Sequence, residues 1–236
     1  MRLHRFYIGD VHPSGANITI NSIDLIHQWK NVFRMHEGDE VILFNTSNEE
    51  YICALETIDR KSATLRVRST AHGARAQRPL ILCAALVKKD NFDLILQKAT
   101  ELGATEIIPI ISERSEKKGL NKERAERILI EASEQCGRTD IPKVHIPTDF
   151  EHALDELPSN TAIIGFDPTG TNFDPQIFTR DELALFIGPE GGWAEHEIDA
   201  LQSRGKLIQL PTFVLRAETA AIAAMTLAST LRSVQK

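Results

Sequence analysis

The sequence predicts two architectures in tandem: a small N-terminal β-barrel, then an α/β unit on a mostly parallel sheet. Three observations support this. Up to about residue 72 the chain is a succession of short β-rich runs separated by turn residues. From Arg78 onward, apolar runs alternate with amphipathic helical patterns, as a parallel sheet with helical crossovers requires. Between them the stretch TAHGARAQ, Thr70 to Gln77, has no periodicity and reads as a linker. The predicted domains are 1–72 and 73–236.

In the first domain the runs HRFYI, ANITI, DEVILFN, EYICALETI and SATLRVRS are the strands. Turn signals at Pro13-Ser14-Gly15, Glu37-Gly38-Asp39 and Asn45 to Asn48 separate them. One helix is predicted from Ser22, its N-cap, to Arg34, with Leu25, Ile26, Trp29 and Phe33 on its apolar side. In the second domain strands are predicted at 80–87, 105–111, 143–146, 161–166, 183–188 and 206–210. Helices are predicted at 91–102, 121–136, 149–157, 194–204 and 217–234. In the first of these, Phe92, Ile95, Leu96, Ala99 and Leu102 form an apolar stripe, and Gly103 supplies the stop. In the second, Ala125, Ile128, Leu129, Ala132 and Cys136 form the stripe to be buried, with Glu131, Glu134, Gln135 and Arg138 on the opposite face.

Apolar residues make up 42% of the chain and charged residues 25%, so a packed core is expected. No apolar run reaches the ~18 residues of a membrane span, and MRLHRFYIGD lacks the apolar stretch of a signal peptide. Cys53, Cys83 and Cys136, odd in number and far apart, read as reduced core thiols of a cytosolic protein. Net charge is -6, which argues against a general nucleic-acid coat but leaves a local basic surface open. Residues 1–75 hold nine Lys/Arg and nine Asp/Glu, so the acidic excess lies beyond them. No histidine pair has H-x-x-x-H spacing, and no metal is expected.

Two late stretches carry the chemistry. In FIGPEGGWAEHEI an apolar strand runs into Gly188-Pro189-Glu190-Gly191-Gly192. The spacing is not G-x-G-x-x-G, Pro189 removes an N–H that a phosphate would use, and no Lys-Ser/Thr pair follows. Glycines here either close a tight strand-to-helix turn or let backbone approach a flat ligand. In LPTFVLRAETAAIAAMTLASTL, an extended apolar piece carrying Arg216 and Glu218 leads into an alanine-rich helix. Such a helix is buried, and a charged pair at its edge needs a partner or a substrate.

These stretches, with RFYI, LVKKDNFDLILQKATELGATEIIPIISERS and EASEQCGR in the same order, resemble the RsmE family of 16S ribosomal RNA uracil N3-methyltransferases along essentially the whole chain. Departures fall at Lys88-Lys89-Asp90-Asn91, Pro211 and Ala217. The resemblance implies a PUA-like RNA-binding barrel and a SPOUT-type α/β parallel sheet with a C-terminal trefoil knot. It implies S-adenosyl-L-methionine bound between three loops, Phe166-Asp167-Pro168, Gly188 to Gly192 and Leu210 to Thr219. Cofactor contacts are expected at Phe166, Ile187, Gly188, Glu190, Gly191, Gly192, Leu210, Leu215, Ala217 and Thr219. It also implies a cytoplasmic homodimer with each active site near the interface, acting on 16S ribosomal RNA within the small ribosomal subunit.

Methylating N3 requires loss of its proton and stabilisation of charge on the uracil oxygens. The expected catalytic residues are Arg216, stabilising that charge or orienting the base, and Glu218, positioning Arg216 or acting as base. Arg138 is a further candidate, with Gln135 beside it. RNA contacts are expected at Arg5, Arg34, Arg60, Lys61, Arg66 and Arg68 in the barrel. In the second domain they are expected at Lys88, Lys89 and Arg114, with Lys117 and Lys118. The alternatives are a methyltransferase of the same fold acting on another RNA base, and a non-catalytic RNA-binding ribosome-assembly factor.

Overall fold

Alternating burial along short strands builds the first unit. A computed structural model describes residues 3–233. The chain forms two compact units: one runs to Arg75 and adds Ser133–Ile141, and the other comprises Ala76–Ala132 and Pro142 onward. In the first, β1 (His4–Tyr7), β2 (Asn17–Ile20), β3 (Glu40–Phe44), β4 (Glu49–Ile58) and β5 (Ala63–His72) form one sheet in the order β1-β3-β4-β5-β2. Only β1–β3 is parallel. Phe6, Ile18, Trp29, Leu43, Tyr51 and Leu65 belong to one buried cluster, so both edge strands and the helix share a core and the sheet must curl around it.

The predicted helix from Ser22 is present as α1 (Ile23–His27), capped by Ser22, but it widens into a π-turn over Gln28–Val32. Phe33 N donates to Gln28 O, the i to i−5 bond of that turn. The predicted linker is partly ordered pairing: β5 runs through His72, opposite Glu49 of β4. Gly73 then lies so close to Thr139 that a Cβ would overlap its side chain.

The second unit is a seven-stranded sheet, parallel at every pairing. Its strands are β6 (Leu80–Ala85), β7 (Glu106–Ile111), β8 (Lys143–Val144), β9 (Thr148–Asp149), β10 (Ala162–Asn172), β11 (Leu183–Ile187) and β12 (Lys206–Gln209). The order is β12-β10-β11-β6-β7-β8, with β9 also on β7. Every residue of β6 and β11 is buried, the mark of strands covered on both faces. The helices are α2 (Lys89–Glu101), α3 (Lys122–Cys136), α4 (Phe150–Asp155), α5 (Glu195–Arg204) and α6 (Ala217–Ser233). Val234, the expected end of α6, lies outside the described residues. Among the described residues no helix is long and apolar enough to cross a membrane.

Two expectations are corrected. Cys136 is exposed, because the buried stripe of α3 passes from Leu129 and Ala132 to Ser133. Arg138 is not on the polar face of α3: Gly137, at φ 90°, ends the helix, and Arg138 is buried beyond it. Burial pushes the Cys53 thiol up to about 12 and raises that of Cys83 too. A thiol-reagent titration of the native protein at pH 8 should therefore find one fast-reacting thiol, and three after denaturation. Two fast thiols in the native state would contradict this burial.

Candidate active site

Because β12, β10 and β11 are adjacent and parallel, their carboxyl ends lie on one edge, and the loops after them converge there. A cavity of about 170 Å3 opens between those loops. The first loop interrupts β10, which continues past the predicted end at Phe166. Its register against β12 jumps between Phe166 and Thr171. Asp167 Oδ1 accepts bonds from Thr169 N (2.9 Å) and Oγ1 (2.6 Å), closing the bulge. Gly170 is required: a Cβ there would sit 2.5–2.7 Å from Ile208 main chain. The bulge thereby brings Asp167 and Pro168 to the cavity wall.

The second loop is the glycine turn. Trp193 is buried beneath it, and its Nε1 donates to Phe166 O at 3.2 Å, tying the second loop to the first. A Cβ at Gly188 would be 3.1–3.2 Å from that indole. Gly192 N donates to Pro189 O, with Gly192 at φ +70°. Two outside groups brace the turn. Arg114 Nη1 donates to Gly191 O at 3.1 Å. The buried Glu197 carboxylate accepts from Ala194 N (2.8 Å) and from Glu113 N (3.0 Å). The third loop, Leu210 to Arg216, folds on itself through Thr212 N to Leu210 O and starts α6 with Ala220 N to Arg216 O.

The lining residues are mostly apolar or glycine, with Asp167 and Glu190 the two carboxylates and no Lys or Arg. Such a wall repels a pyrophosphate and suits a cation. S-adenosylmethionine fits on three counts: a cationic sulfonium and ammonium for the carboxylates, a flat purine for the glycine edge, and apolar walls. Among the described residues no group of three His, Cys, Asp or Glu is placed to hold a metal.

Of the residues singled out in the sequence, Phe166, Ile187, Gly188, Glu190, Gly192, Leu210, Leu215 and Ala217 line this one cavity. Gly191 and Thr219 do not: Gly191 gives its carbonyl to Arg114, and Thr219 is exposed on α6. Arg216 is exposed between two lining residues, while Glu218 is buried with Oε2 lacking any hydrogen-bond partner. No Arg216–Glu218 ion pair forms, so the expected positioning of one by the other is not made in this structure. Arg138 belongs to the first unit, where Asp140 grips its guanidinium. Arg5 is also withdrawn from solvent: it pairs with Glu50 at 2.8 Å and lies over the Phe44 ring. Arg34, Arg60, Lys61, Arg66, Arg68, Lys88 and Lys89 are exposed, and Arg66 faces Glu56. The sequence did not point to Trp193, Gln209 and Ala220 as lining, nor to the bond between Glu197 and Glu113, whereas Phe213 falls within the expected third loop. Glu197, three residues after the helix-starting Ala194, carried the one available signal, that of a capping carboxylate.

The RNA methyltransferase domain family matches residues 74–229, and the RNA methyltransferase PUA domain family matches residues 30–68. The chain is 28% identical to ribosomal RNA small subunit methyltransferase E of Rickettsia conorii, over 95% of this chain and 94% of that protein. It is 30% identical to the protein of that name from Buchnera aphidicola subsp. Schizaphis graminum, with 95% of each covered. Among solved structures it is similar to a Legionella pneumophila methyltransferase with bound cofactor SAM, at TM-score 0.87 and 29% identity, covering 99% of this chain and 98% of that one. A Neisseria gonorrhoeae ribosomal RNA small subunit methyltransferase E bound to S-adenosyl methionine superposes equally well, at TM-score 0.87 and 26% identity with 98% of each covered.

Replacing Glu197 by Ala leaves two amides without their acceptor, which should cost about 1–3 kcal/mol for each one left buried and unsatisfied. Glu197→Gln, which keeps one acceptor oxygen, should lose less. Denaturant melts check the order; equal stability of all three proteins would remove the brace.

Proposed function

This chain belongs to the ribosomal RNA small subunit methyltransferase E family, and on that premise we propose that it methylates N3 of a uracil in 16S ribosomal RNA. It is an RNA methyltransferase with an N-terminal PUA domain, and its donor is S-adenosylmethionine. The observation that carries the donor site is the cation-free, two-carboxylate cavity at the ends of β10, β11 and β12. Bound there, S-adenosylmethionine supplies an electrophilic methyl group.

The remaining requirements fall on the chain's own residues. Arg216 extends into solvent between Leu215 and Ala217, both of which line the cavity, and has no ion-pair partner among the described residues. It is free to meet the negative charge that grows on the uracil oxygens as N3 loses its proton. Glu218, 7% exposed, offers an unbonded carboxylate oxygen in the first turn of α6. An acceptor kept dry without a donor is costly, and a transferred proton would satisfy it. Since N3 lies on the pairing edge, the uracil must be unpaired or extruded. Exposed Arg60 and Lys61 at the β4–β5 turn, with Arg66 and Arg68 two apart on β5, are suited to phosphate positioning.

Three further features belong to the same proposal. α6 follows edge strand β12 yet packs against β11 and β6, so the chain must pass β10 on its return. That return supports a threaded trefoil. Phe213 and Val214 are 94% and 85% exposed on the cavity loop, and Ile222, Ala223 and Leu227 leave a half-exposed apolar face on α6. A second copy of the chain, covering them, would complete a homodimer near each donor site. The free, buried thiols of Cys53 and Cys83 fit the reducing cytoplasm, where the small ribosomal subunit would be the substrate.

Cells lacking the gene should lose one N3-methyluridine from 16S RNA, seen as a lost reverse-transcription stop, and the wild-type gene should restore it. Arg216→Ala and Glu218→Gln should restore it roughly 100-fold more slowly while the purified proteins still bind donor in calorimetry. Full restoration by either variant removes that residue from the chemistry. For the assembly, Phe213→Asp should shift sedimentation from dimer to monomer; an unshifted boundary would place the contact elsewhere.

A further inference from the structure

A second cavity, of about 140 Å3, lies in the loops that follow β6 and β7. Its electrostatics are the reverse of the donor cavity's. Lys89, Lys117 and Arg124 line it, with Asp93 as the one acid. Arg124 and Asp93 cancel each other: Nε donates to Asp93 Oδ2 at 3.0 Å, and Nη2 donates to the same oxygen. Lys89 and Lys117 remain, exposed and without a carboxylate partner among the described residues. The cavity also adjoins the first turn of α2, a 13-residue helix whose N-cap, Lys88, makes no side-chain bond. Its leading amides add positive potential. The remaining wall is apolar, formed by Leu86, Val87, Phe92 and Leu120.

We propose that this cavity holds one nucleotide of single-stranded RNA, with its phosphate on Lys89 and Lys117 and its base on the apolar wall. An inorganic anion would use the lysines and leave that wall wetted; a nucleotide uses both, as single-strand sites combining charge with apolar contact do. The position agrees with the rule that ligands of parallel sheets bind outside the carboxyl ends of strands, next to where strand order reverses. Here the order turns from β6-β7 to β11-β10 at the β6–β11 pair. The methyl donor cavity, on the loops after β11, β10 and β12 on the other side of β6, is a different site with different chemistry. The proposal rests on the RNA methyltransferase reading and adds to it a second point at which the strand is held.

The test is binding of a fluorescent single-stranded oligoribonucleotide copied from 16S RNA to the full chain, followed by anisotropy across a salt series. Donor affinity is measured on every variant as the check on folding. The double variant Lys89→Ala/Lys117→Ala should bind RNA about tenfold more weakly and flatten the log–log salt slope by about 0.7 for the phosphate released. Leu120→Trp, which fills the cavity and keeps both lysines, should also weaken RNA binding several-fold; Leu120→Phe replaces it should the larger ring disturb donor binding. Lys122→Ala, outside the cavity and paired with Glu126, should bind as the wild type does. The proposal is overturned if both cavity variants bind RNA normally. It is also overturned if only the lysine variant weakens, since the lysines would then act as surface charge without the cavity. A wild-type protein that binds the donor but neither this strand nor isolated small ribosomal subunits would instead defeat the 16S substrate reading on which the proposal rests.

Discussion

Parallel pairing of β12, β10 and β11 is the constraint on which the rest of the site depends. In a parallel set every strand ends on the same edge, so three segments far apart in the chain, at 166–168, 188–192 and 210–215, emerge side by side. An antiparallel neighbour would have sent one of them to the opposite edge. Parallel strands also need crossovers: α5 is the one from β11 to β12 and begins just after the glycine turn, while α6, after the last loop, gives Ala217 and Ala220 to the cavity wall. β11 is held in register by its ladders with β10 and β6, and a one-residue slip would carry Gly188 off Trp193.

Convergence alone would give three mobile loops. Rigidity comes from two buried side chains, each of which joins segments distant in sequence. Trp193 fills the space under Gly188 and bonds to the carbonyl of Phe166, so the second loop cannot shift without dragging the first. Glu197 holds the start of α5 and the loop after β7 with one carboxylate, and Arg114 from that same loop holds Gly191. The glycine turn is thus clamped from below by an indole and from the side by a charged pair of contacts. This preorganises the wall before any ligand arrives, which lowers the entropy cost of binding.

The strands and helices were legible because each rests on local signals: apolar runs, helical spacing, and glycine or proline at turns. The three loops and the ten cofactor residues came instead from the resemblance to the RsmE family, and eight of those ten line one cavity because each motif is also the turn at a strand end. What sequence could not give were pairings across the chain. Arg5 reads as a surface cation until Glu50 and Phe44 enclose it. Arg138 reads as part of a helical face until Gly137 ends the helix and Asp140 takes the guanidinium. Cys136 lies at apolar spacing, yet the last turn of α3 buries Ser133 in its stead. Glu197 reads as an acid that stabilises the start of its own helix, and only the approach of Glu113 reveals its second bond.

The distribution of charge within the second unit separates two recognition tasks that a single basic groove would confuse. A cationic donor and a polyanionic acceptor cannot be drawn by the same potential. Around the donor cavity the lining carries carboxylates and no cation, so an RNA phosphate is repelled from the donor's seat. Around the second cavity the one acid is neutralised by Arg124, and two lysines have no carboxylate partner among the described residues. The boundary between these regions is drawn by residues that sit close in sequence but point to different work: Arg114, spent on Gly191, and Lys117, left free three positions later on the same loop. Arg114 therefore stiffens the donor wall without lending it positive charge inside the cavity. An overall net charge of -6 is no obstacle to RNA binding under this arrangement, because what the phosphate meets is local.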